Sequence, residues 1–89
     1  MKFTFYYSYL CPRCGRAKKH LISILGAAFF HRCVLVDVIS HPKKSWNDGI
    51  RMIPALRYEQ SIISGVLLKR EQIQTFLAEH GLLDELENK

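Results

Sequence analysis

Cysteine is scarce in this chain, and long hydrophobic runs are missing. Its 89 residues include three cysteines, too few for a disulfide framework, because one is left over after any pairing. No stretch approaches membrane-spanning length, and the amino-terminal residues lack the aliphatic core and small-residue cleavage site of a signal peptide. We therefore expect a reducing, cytoplasmic setting and no membrane partner.

Acidic residues are outnumbered by basic ones, with 8 Asp and Glu against 13 Lys and Arg and a formal net charge of +5. The basic residues are not interleaved with stacking aromatics in a nucleic-acid-binding module, so no nucleic-acid partner is expected. Low-complexity segments, repeats and linkers are also missing. A chain of this length suits one domain, residues 1–89, and nothing in it requires more than a monomer.

Two of the cysteines occur together, as Cys11-Pro12-Arg13-Cys14. The motif directly follows an apolar, strand-prone run and directly precedes a helical pattern. Two cysteines three positions apart on a first helical turn are close enough to form a disulfide, and the unpaired N–H groups and positive end of the helix stabilise a thiolate. A strand–CxxC–helix junction of this kind indicates dithiol–disulfide exchange.

The spacing of apolar residues predicts the order β-α-β-α-β-β-α, a single α/β domain. Trp46 and Ile50 are the expected packing anchors of the short second helix. Cys33 is expected to be a buried, structural cysteine in a central parallel strand, and a regulatory third thiol is the alternative. The predicted elements are strand 2–9, helix 12–26, which Ala27-Ala28 could extend, strand 32–39, a short helix in residues 43–50 that ends at Gly49, strands 55–59 and 61–64, and helix 69–80.

Three features in this order carry a family resemblance. Cys11-Pro12-Arg13-Cys14 is followed some forty residues later by Ile53-Pro54, and Ser64-Gly65 ends the predicted hairpin. Together they resemble the glutaredoxins, small proteins of the thioredoxin-fold superfamily, over nearly the whole chain. The resemblance implies a thioredoxin-like, glutaredoxin-type fold: a four-stranded mixed central sheet flanked by helices. It also implies a thiol–disulfide oxidoreductase.

Roles for individual residues follow from the motif and the resemblance. Cys11, at the exposed helix entrance, is the expected nucleophile, and Cys14 the thiol that releases the product. The resemblance implies a cis Ile53–Pro54 bond that faces the cysteines and leaves the backbone of Ile53 free to pair with an extended substrate. The residues expected to bind substrate are Tyr9, Pro12, Arg13, Ile53, Pro54 and Gly65. The expected substrate is a disulfide-containing protein or small molecule.

Two departures from glutaredoxins that bind glutathione leave the electron donor open. Gly65-Val66-Leu67-Leu68-Lys69 replaces their Gly-Gly pair and acidic residue, and no lysine precedes Cys11 at residues 7–10. The donor is therefore either glutathione or a protein similar to thioredoxin reductase. No tightly bound cofactor or closed metal site is expected, because only Cys33 and dispersed histidines remain as further ligands.

Two other classes of function stay open beside the enzyme. The same fold could hold an iron–sulfur cluster or a metal through Cys11 together with thiols of a partner. It could also serve as a non-catalytic adaptor that has the same fold but no thiol–disulfide exchange activity, because fold alone does not determine function.

Overall fold

Strand β1 (Phe3–Tyr7) is buried on both faces. The computed structural model describes residues 2–65 and 68–83 of the chain. Phe3 and Phe5 point to one face of β1 and Tyr6 to the other, and each of the three is at most 1% exposed. Because successive side chains of a strand alternate between faces, this burial means that packed layers cover β1 on both sides.

The sheet has four strands in the order β2-β1-β3-β4. β2 (Cys33–Asp37) runs parallel to β1, whereas β3 (Ala55–Tyr58) is antiparallel to it, and β4 (Ser61–Ser64) forms a hairpin with β3. The hairpin turns at Glu59 and Gln60, and Glu59 has a φ of 55°. The predicted four-stranded mixed sheet is confirmed.

Helices cover the two faces of this sheet unequally. One face carries the larger core, to which α1 and α4 contribute Cys14, Ala17, Leu21, Ile73, Phe76 and Leu77. The other carries a smaller cluster of Tyr6, Val36, Ile50 and Ala55 beside α3. In the described ranges no helix is long and apolar enough to cross a membrane. The helices are α1 (Pro12–Leu25), α2 (Phe29–Arg32), α3 (Pro42–Asn47) and α4 (Arg70–Glu79).

The connection between α1 and β2 differs from the prediction. Helix α1 ends beside Gly26, whose φ of 59° suits a glycine. The chain then continues through a 3-10 turn (Gly26–Ala28) and α2, the latter in a stretch between the predicted helix and strand for which no element was predicted. Phe29 is 2% exposed and joins the larger core. Burial of this ring explains why helical turns persist beyond the glycine.

Strand β2 lies at the edge of the sheet, so its predicted central, buried position is wrong. Val34 is 42% and Leu35 is 43% exposed, and Cys33 is half-buried against the larger core. A run of β-branched residues favours a strand, but it does not determine how many neighbouring strands pair with it. Here β1 takes the central place because both β2 and β3 pair with it.

Helix α3 also differs from expectation in what it buries. Ile50, which follows it, is 6% exposed and anchors the smaller cluster as predicted, but Trp46 is 60% exposed and is no packing anchor. The residue of α3 that faces inward is Ser45, whose hydroxyl donates a hydrogen bond of 2.8 Å to the carbonyl oxygen of His41. The largest side chain of this short helix is therefore exposed to solvent and does not belong to the core.

A buried tyrosine ties β1 to the end of α3. The hydroxyl of Tyr6 donates a hydrogen bond of 2.7 Å to Oδ2 of Asp48. Lys44 and Arg57 lie 3.2 and 3.9 Å from the same carboxylate. The hydrogen bond from Tyr6 holds the pKa of Asp48 below its ordinary value, with help from Lys44 and Arg57 and against the effect of burial. Asp48 is therefore an anionic acceptor at neutral pH.

Replacing Tyr6 with Phe should lower the free energy of unfolding by about 1.5 kcal/mol at pH 7, because the variant loses a hydrogen bond to a charged group. Urea denaturation would measure the difference. Tyr58→Phe is the matched control, since the Tyr58 hydroxyl has no hydrogen-bond partner among residues 2–65 and 68–83. Equal stability of wild type and Tyr6→Phe would contradict a stabilising role for this bond.

The stability lost in Tyr6→Phe should itself depend on pH. Because the folded-state pKa of Asp48 is depressed, its stabilising contribution is complete above the ordinary carboxyl pKa and is lost as the pH falls through the folded value. Denaturation curves at descending acidic pH should therefore bring wild type and Tyr6→Phe closer together. A stability difference that grows on acidification would show that Asp48 is not the group concerned.

Candidate functional site

The strand register brings three segments of the chain to one end of the sheet. Tyr7, the last residue of β1, is paired with Asp37, the last residue of β2, and Tyr6 is paired with Ala55, the first residue of β3. The N–H of Val38 donates to the carbonyl oxygen of Tyr7 at 2.9 Å. The residues that follow β1 and β2 therefore meet those that precede β3.

A tight turn after β1 places Cys11 at the start of α1. The N–H of Cys11 donates to the carbonyl oxygen of Ser8 at 3.0 Å. Cys11 is the N-cap residue with an extended backbone, and Pro12 occupies the first helical turn, where a missing N–H costs no hydrogen bond. Cys11 is partly exposed, whereas Cys14, one turn further, is 2% exposed. One sulfur thus faces the outside and the second lies behind it.

The surroundings of Cys11 favour its thiolate. Burial by itself raises the pKa of the Cys11 thiol, but the net pKa lies below the ordinary value of a cysteine. The hydrogen bond from the Cys14 thiol, the backbone N–H groups of Cys14 and Arg13, and the charge of Arg13 produce the lowering. The two cysteines are therefore close together, and both thiols are free.

The surroundings of Cys14 favour the protonated form of its thiol. Burial, the hydrogen bond to Cys11 and the charge of the Cys11 sulfur raise the pKa of Cys14 to about 11. Cys14 therefore keeps its proton at neutral pH while Cys11 ionises more readily. Two adjacent thiols with opposed pKa shifts provide one nucleophile and one proton-bearing partner.

The first turn of α1 contains no acidic residue. An acidic side chain there would stabilise the helix end, but its charge would also disfavour a thiolate. Arg13 occupies that turn, is exposed, and forms no ion pair with an acidic side chain in the described part of the chain. The positive charge at this helix end therefore acts on the sulfur of Cys11.

The peptide bond between Ile53 and Pro54 is cis, as the resemblance implies. Pro54 is buried, and its carbonyl oxygen accepts a hydrogen bond of 3.4 Å from the N–H of Gly65. Ile53 is half-buried and packs against both cores. Its backbone N–H and C=O have no hydrogen-bond partner among residues 2–65 and 68–83. A backbone segment with free groups therefore lies at the same end of the sheet as Cys11.

All the residues expected from the sequence to form the site lie at this end of the sheet. Tyr9 is 71% exposed and stands with Pro12 and Arg13 around Cys11, and Gly65 adjoins Pro54. Val66 and Leu67, part of the departure from the glutaredoxin pattern, lie outside the described residues. The substrate contacts of these side chains stay predictions.

A stacked pair of side chains near the cis bond was not foreseen as part of a site. The Cζ atom of Arg51 lies 3.4 Å from the centre of the Trp46 ring. The sequence feature that could have indicated this pair is Arg51, which lies shortly before Ile53-Pro54. The Trp46–Arg51 pocket, as we call it, is a cavity of about 240 Å³ lined by Val38, Trp46, Ile50, Arg51, Met52 and Ile53 among others.

Cys33 stands apart from the two other cysteines, in edge strand β2. Burial raises its pKa to about 12, against weaker opposing effects of Lys18 and the backbone of Phe5. This is the environment of an unreactive thiol. In the described ranges no three His, Cys, Asp or Glu side chains are grouped so that they could hold a metal ion.

No protein-family model and no curated protein sequence matches the chain. Among solved structures, the chain is similar to thioredoxin 1 from the thermophilic eubacterium Thermosipho africanus TCF52B, with 17% sequence identity, full coverage of both chains and a TM-score of 0.60. A likeness at this identity concerns the fold alone. With its mixed four-stranded sheet, flanking helices and cis-proline, the chain has the thioredoxin fold, and two neighbouring cysteines stand at the start of its first helix.

Proposed function

We propose that this protein is a thiol–disulfide oxidoreductase of glutaredoxin-like type, which reduces disulfides of proteins or small molecules through Cys11 and Cys14. The observation that supports it most is the contrast between the two thiols. The thiol of Cys11 is partly exposed with a lowered pKa, and that of Cys14 is buried behind it with a pKa of about 11. A nucleophile and a resolving thiol need these properties.

In the first step the Cys11 thiolate attacks one sulfur of the substrate disulfide. A bond forms between Cys11 and that sulfur, and the other substrate sulfur leaves as a thiolate that takes up a proton. The product is a mixed disulfide between Cys11 and the substrate. The amino end of α1 and Arg13 favour this step because they stabilise the attacking thiolate at neutral pH.

In the second step Cys14 attacks Cys11. Once Cys11 is in a mixed disulfide its negative charge is gone, and this charge contributes to the raised pKa of Cys14. Cys14 can then lose its proton to the leaving substrate sulfur and form a bond with Cys11. The products are a second substrate thiol and a Cys11–Cys14 disulfide, so two electrons have passed to the substrate.

The substrate meets the protein where backbone groups and exposed side chains surround Cys11. The free backbone groups of Ile53 can pair with an extended segment of a disulfide-containing protein, and Tyr9, Pro12 and Arg13 are exposed beside the nucleophile. Either glutathione or a protein similar to thioredoxin reductase then reduces the Cys11–Cys14 disulfide. A reducing compartment such as the cytoplasm suits this cycle.

Reduction of a protein disulfide tests the enzyme directly. With insulin as substrate and dithiothreitol as electron source, wild type should speed the appearance of free thiols, and Cys11→Ser should return the rate to that of dithiothreitol alone. Cys14→Ser, reduced beforehand and then mixed with insulin without dithiothreitol, should instead accumulate a mixed disulfide with the substrate, visible by mass spectrometry. The physical reason is that Cys14 supplies the second step.

The same assay separates the competing functions. Wild type that fails to turn over with dithiothreitol, glutathione and a thioredoxin reductase would refute the enzyme and favour an adaptor. Bound iron or another metal after anaerobic purification, lost in Cys11→Ser, would point to a scaffold that shares a cluster or metal with a partner.

Replacing Arg13 with Glu should raise the pKa of Cys11, because a stabilising positive charge beside the thiolate becomes a negative one. Thiolate absorbance in the ultraviolet, recorded against pH, would measure the shift in a Cys14→Ser, Cys33→Ser background. Arg16→Glu makes the same charge change on an exposed position of α1 that does not contribute to the pKa of Cys11. Equal titration curves for the two variants would remove Arg13 from the mechanism.

Alkylation of the reduced native protein should distinguish the three cysteines. Iodoacetamide at neutral pH should modify Cys11 first, since the reactive species is the thiolate and the pKa values of Cys14 and Cys33 are about 11 and 12. Peptide mapping after short exposure would show the order, with urea-unfolded protein as the control in which all three react. Rapid modification of Cys33 in native protein would overturn its structural role.

A further inference from the structure

The Trp46–Arg51 pocket lies on the face of the sheet opposite α1, next to the residue that precedes the cis-proline. Its volume of about 240 Å³ is smaller than the roughly 300–1,000 Å³ of ordinary small-molecule sites. A cavity of this size fits one side chain of a larger partner better than a whole small ligand.

The pocket shares Ile53 with the proposed active site. Ile53 forms part of its wall and is also the residue with free backbone N–H and C=O groups. Val38, on another side, donates its N–H to Tyr7, the last residue of the strand that leads to Cys11. A polypeptide paired with Ile53 would therefore carry residues near its reacting cysteine across the mouth of this pocket.

Apolar side chains at the mouth of the pocket are exposed to solvent. Trp46 is 60% and Met52 is 45% exposed, and Ile53 is half-buried. Methionine and tryptophan side chains adapt to an apolar partner and supply large contact area. An apolar side chain that enters here would remove this surface from water.

Arg51 adds an oriented positive charge at the rim. Stacking on Trp46 fixes its guanidinium, and its Nη1 donates to the carbonyl oxygens of Trp46 at 2.8 Å and Ile50 at 3.2 Å. Among residues 2–65 and 68–83, Nε and Nη2 have no acceptor and no carboxylate pairs with Arg51. Asp48, close in sequence, instead accepts from Tyr6.

We propose that the Trp46–Arg51 pocket is a specificity subsite for disulfide-bearing polypeptides, which takes an apolar side chain near the reacting cysteine while Arg51 binds an adjacent carboxylate. The two free donors of a stacked guanidinium match the two oxygens of a carboxylate. The occupant is therefore a protein segment with an apolar and an acidic residue beside its cysteine. This subsite role rests on the proposed function and deepens it.

A set of matched peptides tests the subsite on the wild-type protein. Each is a short disulfide-linked dimer in which Leu-Asp, Leu-Lys or Ala-Asp adjoins the cysteine, and 2-hydroxyethyl disulfide serves as a substrate without side chains. Reduced protein is mixed with each in the absence of any other reductant, so that one disulfide becomes two thiols while Cys11 and Cys14 are oxidised. Quenched-flow mass spectrometry gives the second-order rate constants.

The Leu-Asp peptide should react about fivefold faster than Leu-Lys, as expected for one solvent-exposed ion pair. It should react about tenfold faster than Ala-Asp, as expected for a truncated side chain in an apolar pocket. Arg51→Glu should reverse the preference between Asp and Lys. Lys43→Glu, an equal charge change on the exposed surface of α3, should keep this preference and should react with 2-hydroxyethyl disulfide at the wild-type rate.

Binding can be measured separately from chemistry because Trp46 is the single tryptophan of the chain. In a Cys11→Ser, Cys14→Ser protein, the Leu-Asp peptide should change the tryptophan emission at lower concentration than Leu-Lys or Ala-Asp. Arg51→Glu should remove this advantage and Lys43→Glu should retain it.

The results of these experiments distinguish a failure of the subsite proposal from a failure of the oxidoreductase proposal. Equal rate constants for the three peptides, with rapid oxidation by 2-hydroxyethyl disulfide, would overturn the subsite and leave the oxidoreductase standing. No oxidation by any disulfide would refute the oxidoreductase, and selective emission changes would then still identify a peptide-binding pocket. An equal loss of preference in Arg51→Glu and Lys43→Glu would assign the selectivity to net charge and overturn the role of Arg51.

Discussion

The interaction between the Cys11 sulfur and the amino end of α1 is the one on which the chemistry depends. A helix start exposes N–H groups without partners, and here the residue at that position is a cysteine in place of the usual Ser, Thr or Asp. Cys11 lacks the side-chain oxygen with which those residues cap a helix, so the helix is less stable at its start. The exposed N–H groups instead favour ionisation of the Cys11 sulfur, and the buried Cys14 behind it stays protonated.

This helix end is held in place by strand β1, which is packed on both faces. Phe3 and Phe5 anchor the strand to α1 and α4, and Tyr6 anchors it to Asp48 on the opposite face. The strand therefore cannot shift along the sheet without losing both contacts. The same strand register fixes the segment before β3, so β1 positions both Cys11 and Ile53.

Much of the fold and of the reacting pair could be predicted from sequence, because the patterns involved are local. The alternation in residues 3–7, the helical spacing after Pro12 and the CxxC motif each act over a few neighbouring residues. The position of β2 at the sheet edge and the exposure of Trp46 could not be predicted, since they depend on which surfaces are covered by distant segments. The Trp46–Arg51 pocket could not be predicted either, because its walls come from α3 and from the segments after β2 and before β3, and a stacked guanidinium has no sequence pattern.

Among residues 2–65 and 68–83, strand β2 pairs with β1 alone, so its other edge is available to a further strand. The outer N–H and C=O groups of an edge strand can accept a further strand, and such an addition would also cover the exposed Val34 and Leu35. It would join the sheet on the side of β2 away from β1, so the loop that carries Cys11 and the segment that carries Pro54 would keep their partners. A designer could therefore enlarge the sheet, or fuse another domain through it, while the two cysteines retain their geometry.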